Sequence, residues 1–403
     1  MLKLAFRNLL RHKGRTALTL AAILLGVVGL ILSGGFVEDI YVQLREWTIH
    51  SRLGHLQVYA AGHYRHGRRE PYQYMVAEPE QVAEGIARAP HVVDVLQRVS
   101  FDALVNNGRG DLPVLGEGVE PDKEARLGSA LRIVSGRQLA ASDRLGILLG
   151  QGVASSLQLQ PGDYVTLVAT TAAGSMNSLE LQVVGSFASV SKDYDARAVR
   201  IPLEAARELL DTDAVHALVV SLDDTLATET VRSALSSVLP VGAYEVKSWE
   251  ELDDFYRKTV ALYRRQFGFF QVVILLMVVL SVANSVNMSA YERTGEFGTL
   301  RALGERSSGV VRLIVAENVM LGLAGALLGA ALGLSLAWAI SLVGIPMPPP
   351  PNSDLGYTAL IRIEPVRVLL ALAVGFGATV LSALLAAFRA ARVPVVDGLR
   401  WNV

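Results

Sequence analysis

The 403-residue sequence contains no cysteine. That absence excludes disulfides, thiol catalysis and thiolate metal sites. Charge is sparse and balanced, with 19% charged residues and a formal net charge of -1, so nothing in it points to a nucleic-acid partner. There is no G-x-x-x-x-G-K-[ST] loop to cradle phosphates, no H-E-x-x-H and no G-x-S-x-G. No catalytic residue, no metal and no cofactor within the chain is expected. Length alone allows about two or three folding units.

What the sequence has instead is apolar length. Thr16 to Val37 runs 22 residues without a charge, Gln266 to Tyr291 runs 26, Asn318 to Ser353 runs 36 and Val368 to Phe388 runs 21. A bilayer core of about 30 Å takes about 20 apolar helical residues, so each run can cross once. The prolines after Gly344 must end the third helix. The first run is longer than the apolar part of a signal peptide, and "SGGFVED" offers no small-x-small cleavage site.

Short loops carry Lys and Arg on the cytoplasmic side. Lys3, Arg7, Arg11, Lys13 and Arg15 precede the first span; Arg293, Arg301, Arg306 and Arg312 lie between the second and third; Arg389, Arg392 and Arg400 follow the fourth. Only Arg362 lies between the third and fourth. Both termini are therefore expected in the cytoplasm and residues from about 39 to 265 outside. The N-terminal arm places Leu2, Ala5, Phe6, Leu9 and Leu10 on one helical face, with basic residues opposite, as in a helix lying on anionic headgroups.

Residues 51–245 alternate between β-branched runs ("HLQVY", "DVLQRVSFDALV", "DYVTLVA", "LELQVVGSF", "HALVVSL") and helical runs ("EPEQVAEGIARA", "GQGVASSLQ", "LEAARELL", "ATETVRSALSSVL"). This predicts a mixed α+β extracytoplasmic domain. Its flanks are helical. Val37, Ile40, Tyr41, Leu44 and Thr48 extend the stripe of the first span. Ser248 and Glu251 form an S-x-x-E capping box, after which Trp249, Leu252, Tyr256, Thr259, Tyr263 and Phe267 recur at helical spacing. A helix from Trp249 to Tyr291 would be roughly 65 Å long, with Gly268 the point at which it could be interrupted. Two spans would thus project as stalks.

The layout is an amphipathic arm over 1–15, a span over 16–38, a stalk over 39–50, the α+β domain over 51–247, a second stalk over 248–265, a span over 266–291, a charged segment over 292–310, a span over 311–344, a Pro-rich loop over 345–365, a span over 366–388 and a tail over 389–403. The fold class is an α-helical membrane protein with four transmembrane helices plus the large domain. Pro348 to Pro351 should form a stiff polyproline segment. His63 and His66 could be two metal ligands, but no third is marked and Arg65, Arg68 and Arg69 would repel a cation; they are read as a solvated loop. Glu317 near the inner end of the third span is read as structural, given Arg312 and Asn318 beside it. Gly325, Gly329 and Gly333 make two G-x-x-x-G steps, fit for close helix contact within the chain or between two chains. Gly375, Ala378, Ser382 and Ala386 form a similar face.

In order along the chain, "AFRNLLRHKGRTALTLAAILLGV", "GHLQVYAAGHY", "LLGQGVASSLQLQPGDYVTL", "LQVVGSF", "VRIPLEAARELL", "ANSVNMSAYERTGEFGTLRALGE" and "AARVPVVDGLR" resemble the ABC transporter permease family that includes MacB, FtsX and the lipoprotein-releasing LolC and LolE, nearest the last branch. The resemblance implies a non-enzymatic half-transporter of a bacterial inner membrane, working as a homo- or heterodimer of permeases. It implies a separate cytoplasmic ATPase pair holding ATP and Mg, whose closure moves the stalks. The expected outer partner is a periplasmic carrier, an adaptor or a substrate lipoprotein, and membrane lipid is expected around the spans. Lipoprotein or lipid extraction is the first functional expectation. MacB-like export with an adaptor and FtsX-like signalling to an envelope hydrolase are the alternatives. Within 292–310, the resemblance marks a coupling helix carrying Glu292, Arg293, Glu296, Phe297, Thr299, Leu300 and Arg301. Phe297 and Leu300 are expected to sit in a groove of the ATPase, with Glu296 pairing to it.

Overall fold

The computed structural model describes residues 13–67, 69–127, 131–189, 191–240, 242–349 and 356–391. Residues 1–12 of the arm, the tail from 392 onward, and Pro350 and Pro351 lie outside that set. Two compact units divide the chain: a helical one from the segments up to Val42, over Val260–Pro346 and from Thr358 onward, and a sheet unit from Gln43–Thr259 with Met347–Tyr357.

Four helices, Lys13–Thr48, Asp254–Glu292, Ser307–Val343 and Pro365–Ala391, are long and apolar enough to cross a membrane. The first is the hub of the helical unit. Its Ile23, Val27 and Ile31 are buried among Val278, Val282 and Val286 of the second, Ala326 and Ala330 of the third, and Ala371, Ala378 and Ala386 of the fourth. The glycine stripe of the third helix lies on it: a Cβ at Gly325 would stand 3.0 Å from Ile23, one at Gly329 would stand 3.0 Å from Val27 and 3.1 Å from the Leu24 backbone, and one at Gly333 would stand 3.2 Å from Ile31. Without side chains at these steps the helices approach closely enough for dispersion contacts to replace those with lipid. On the fourth helix Ala378, Ser382 and Ala386 are buried as well. By contrast, Phe269, Phe270, Leu276, Met277 and Leu280 of the second helix are exposed, an apolar face suited to hydrocarbon and not to water.

Acidic side chains at one end of the first helix are paired. Asp39, fully buried, accepts from the Leu360 N–H at 2.8 Å and from Arg362 Nε at 3.0 Å. Arg367 bridges Glu38 and Glu364.

The sheet unit holds ten strands. In chain order β1 is Leu56–Ala60, β2 Val92–Asn106, β3 Asp111–Val119, β4 Arg132–Gly136, β5 Gly146–Gly150, β6 Tyr164–Thr170, β7 Met176–Ala188, β8 Ala198–Pro202, β9 Ala217–Leu222 and β10 Tyr244–Ser248. They are arranged β10-β1-β9-β2-β3-β8-β5-β7-β4, with β6 pairing β2 and β7. The fifteen-residue β2 is the spine: its first half pairs with β9 and its second with β6, while β3 runs along most of it. Helices Pro79–Ala87 and Leu203–Leu210 close the main core over Val99, Leu149, Leu167, Leu181 and Ile201. The pairs β3/β8 and β5/β7 are parallel.

Two expectations are corrected. The helix expected from Trp249 onward breaks at Asp253, which takes an extended conformation between Trp249–Leu252 and Asp254–Glu292. The break is chemical: the Asp253 carboxylate accepts from the Tyr256 N–H at 3.0 Å and from Thr48 Oγ1 at 3.3 Å, so it caps a new helix instead of continuing the old one. Gly268 lies inside the helix and interrupts nothing. His63–His66, read as a solvated loop, is a helical turn. The His63 ring stacks on Tyr59 at 4.7 Å, and its Nδ1 hydrogen-bonds the Tyr74 carbonyl at 2.9 Å.

His55 and His216 are buried in the sheet unit, and burial pushes each imidazole down to about 4 from 6.5. Each accepts a backbone N–H, from Leu222 at 3.1 Å and Ser100 at 3.2 Å respectively, an arrangement open only to neutral rings. Between about pH 6.5 and 4 the unfolded chain binds more protons than the folded one, so stability is present above that window and is lost as pH falls through it, by about 1–3 kcal/mol per histidine. Chemical denaturation of the purified protein across this range should show the decline, and His216→Gln should flatten it. At the glycine stripe, Gly329→Val should overpack the contact with the first helix and cost about 1–3 kcal/mol, read as a lowered Tm in detergent; Gly377→Val, where a Cβ meets nothing within 4 Å, should leave Tm near its parent value.

Candidate functional site

Residues 293–306 join the second and third long helices through a nine-residue helix, Thr294–Ala302. The second long helix stops because Arg293 leaves helical geometry, and because Thr294 Oγ1 donates back to the carbonyls of Tyr291 at 2.7 Å and Ala290 at 3.2 Å. The short helix is closed at its other end by Gly304, at φ +96°. Its N–H reaches the Arg301 carbonyl at 3.1 Å and the next N–H, that of Glu305, reaches the Leu300 carbonyl at 3.1 Å. This is the paired bonding of a Schellman turn, whose left-handed residue is glycine because a Cβ there is strained.

One face of the short helix is locked into the helical unit. Phe297, 3% exposed, packs on Val310, Ile314 and Ala387. Arg293 is buried too, and its Nη1 donates to Glu317 Oε2 at 2.6 Å while Nε donates to Glu296 Oε2 at 2.9 Å. Its guanidinium lies 5.1 Å from the Phe297 ring centroid, within cation–π range. Asn318 turns back onto its own helix, Nδ2 donating to the Ile314 carbonyl at 2.9 Å. The partner of Glu317 is thus an arginine 24 positions earlier, not the neighbouring Arg312, which is exposed.

The other face is open. Glu292, Glu296, Thr299, Leu300 and Leu303 are exposed, with Leu303 at 81% against 37% for Leu300. Thr299 Oγ1 donates to the Gly295 carbonyl at 2.9 Å, and Arg301 is half-buried. The seven residues named for the coupling helix therefore divide. Arg293 and Phe297 face inward, so Phe297 packs within this chain and does not point outward as the groove contact expected of it, and Glu292, Glu296, Thr299 and Leu300 remain outward. The reason is angular. Successive three-residue steps on a helix of 3.6 residues per turn lag by about 60° each, so Phe297, Leu300 and Leu303 spiral from the buried side to the exposed one. Leu303 was outside the expected site. The Arg293–Glu317 pair was also missed, although an acid inside a span needs a cation, and that need was readable.

No residue of this segment assembles a nucleophile with a base, and among the described residues no cluster of three potential metal ligands occurs. What the arrangement can do is present a rigid, partly apolar, partly acidic ridge held by a buried ion pair.

The MacB-like periplasmic core domain profile matches residues 16–238, more than half of the chain, and the FtsX-like permease C-terminal profile matches residues 268–395, which include the short helix. The chain is 22% identical over 265 residues to the lipoprotein-releasing system transmembrane protein LolE of Haemophilus influenzae, covering 64% of each chain. This match spans less than two thirds of that relative's length. It is 24% identical over 341 residues to the lipoprotein-releasing system transmembrane protein LolC of Neisseria meningitidis serogroup B, covering 81% of this chain and 78% of the relative. To the macrolide export ATP-binding/permease protein MacB of Psychrobacter arcticus it is 21% identical over 357 residues, covering 85% of this chain and 52% of the relative.

Removing one member of a buried ion pair leaves the other charge unpaired, at a cost of about 3–5 kcal/mol, whereas replacing both by apolar groups is often close to neutral. Arg293→Met and Glu317→Leu should each lower the unfolding midpoint in detergent strongly, and the double variant should recover most of the loss. A loss in the double equal to the sum of the losses in the singles would mean that the two side chains do not act as a pair.

Proposed function

From the premise that this chain belongs to the ABC transporter permease family that joins a MacB-like periplasmic core domain to an FtsX-like C-terminal region, we propose that it carries ATP-driven motion across the inner membrane to release lipoprotein or lipid toward a periplasmic carrier. The observation that carries the cargo assignment is the likeness to LolC over 81% of this chain, seconded by LolE. The four spans fit it chemically. Their long uncharged runs carry no ionisable side chain to bind a coupling ion at mid-membrane.

In this reading both termini and residues 293–306 face the cytoplasm and the sheet unit is periplasmic, in keeping with the basic residues that flank the spans. ATP and Mg are held by an ABC ATPase outside these 403 residues, and a second permease, the same or a paralogue, completes the complex. The helix Thr294–Ala302 receives the ATPase. Leu300 and Leu303 enter its surface, Glu296 offers it an acidic contact, and the inward Arg293 and Phe297 pass the displacement to the third helix. The long helices Lys13–Thr48 and Asp254–Glu292 then carry it outward, since a packed helix moves as a rod when its end is pushed.

Depletion of the protein should trap lipoproteins in the inner-membrane fraction; an unchanged distribution between the two membranes overturns the cargo assignment. The MacB-like core domain supports a second reading, export of a periplasmic substrate through an adaptor. Cross-linking of the sheet unit to a tubular adaptor, with no lipid-binding carrier captured, would favour that reading. For the receiving helix, Leu300→Asp with Leu303→Asp should abolish stimulation of ATPase turnover in the assembled complex, with Tm within a few degrees of the parent because both side chains are outward. Undiminished stimulation in that variant removes the helix from the ATPase interface.

A further inference from the structure

The sheet unit buries a cluster of four charged side chains far from the segment described above. Arg98 on β2, Glu117 on β3, Arg200 on β8 and Glu124 in helix Pro121–Leu127 are each less than a tenth exposed. Arg98 Nη2 donates to both oxygens of Glu124 at 2.9 and 2.7 Å, Arg200 Nε donates to Glu117 at 3.2 Å, and Arg200 Nη1 lies 3.0 Å from Glu124. Arg200 and Glu117 are direct cross-strand partners on β3 and β8. Burial pushes the Glu117 carboxyl up, but the surrounding arginines outweigh it and hold the group down at about 2.

Stability alone does not call for such a cluster, because apolar groups of equal volume commonly serve as well. The cluster also makes two bonds that apolar groups could not. Arg200 Nη2 donates to the Ser51 carbonyl at 3.3 Å, and Arg98 Nη1 donates to the Arg52 carbonyl. Both carbonyls belong to Ile49–Leu53, a wide helical turn that follows directly on helix Lys13–Thr48. A helix end leaves carbonyls without intrahelical donors and concentrates partial negative charge. Here five of the six carbonyls from Thr48 to Leu53 are met: Thr48 by Ser51 Oγ at 3.4 Å, Ile49 by the Gly54 N–H at 2.9 Å, Ser51 and Arg52 by the two guanidiniums, and Leu53 by Gln57 Nε2 at 2.8 Å. Arg52 in addition lies 5.0 Å from the Tyr194 ring centroid, and Ile49 and Leu53 pack on Trp249.

We propose that the Arg98–Glu124–Arg200–Glu117 cluster is a socket that fixes the end of the first long helix into the spine of the sheet, so that the helix end and β2, β3 and β8 move as one body. Arg98 and Arg200 are positioning residues, and the glutamates hold their guanidiniums toward the helix end. The socket does not depend on which cargo the protein carries, and its tests are physical, so they stand or fall apart from the lipoprotein reading.

The cysteine-free chain allows clean spin labelling of the full-length protein at Gln43→Cys and Glu180→Cys. The parent should give one narrow distance distribution by pulsed EPR. Arg98→Met with Glu124→Leu removes one guanidinium and its counter-charge together, leaves Arg200 with Glu117, and should unfold cooperatively while the distribution at least doubles in width. An unchanged width in the folded double variant overturns the proposal. If that variant does not fold, hydrogen exchange of the unmodified protein decides. The amide of Gly54, which bonds the Ile49 carbonyl, should be protected to within about tenfold of Val95–Val99 in β2, as a member of one cooperative unit. Exchange a hundredfold faster at the helix end would show that it opens independently of the sheet, and would overturn the socket.

Discussion

A carboxylate placed in an apolar helix has to find a cation, and Glu317 finds Arg293. Much of the helical unit's polar organisation follows from that need. The pair pulls the start of the short helix against the third long helix, brings the arginine over Phe297, and so decides which side of Thr294–Ala302 is left outside. At the opposite end of the first and fourth helices Asp39 with Arg362, and Glu38 with Arg367, solve the same problem. Between these ends the contacts are made by glycine, alanine and branched aliphatic side chains, which is what a medium without water favours.

The sheet unit applies the same requirement to the backbone. Carbonyls at a buried helix end need donors as much as a carboxylate needs a cation. Arginines on β2 and β8 supply them where water cannot, and Asp253 supplies the corresponding cap to the second long helix. The two helix ends thus enter the domain by different polar devices but share one apolar contact, Trp249 against Ile49 and Leu53.

Much of this was legible in the sequence. Uncharged length marked the four long helices, and β-branched alternation marked β1, β2, β6, β7 and β9. The other strands escaped because the usual pattern is absent from them. β3 carries Pro113, Gly116 and Gly118, and a Cβ at Gly116 would strike the Phe101 ring. β5 is five residues with a glycine at each end, and β10 reads Tyr-Glu-Val-Lys-Ser. In the short helix, composition was readable but facing was not: a spacing of three residues fits a stripe in words while rotating steadily off the face in space. Long-range polar pairs were the least legible. Nothing local to Glu317 names Arg293, and nothing local to Arg98 names a carbonyl 46 positions earlier.

The hub position of the first helix has a consequence for how the molecule is made. Ile23, Val27 and Ile31 are synthesised before the residues they pack against, from Val278 to Ala386, which emerge more than two hundred positions later. At about 5–20 residues per second, this helix waits on the order of ten seconds or more for the neighbours it packs against. Throughout that interval lipid stands in for the protein, while the whole sheet unit is translated and has time to fold. Biogenesis of the helical unit therefore begins with its central member and ends with its periphery, and its assembly must displace lipid from the helix on which everything else closes.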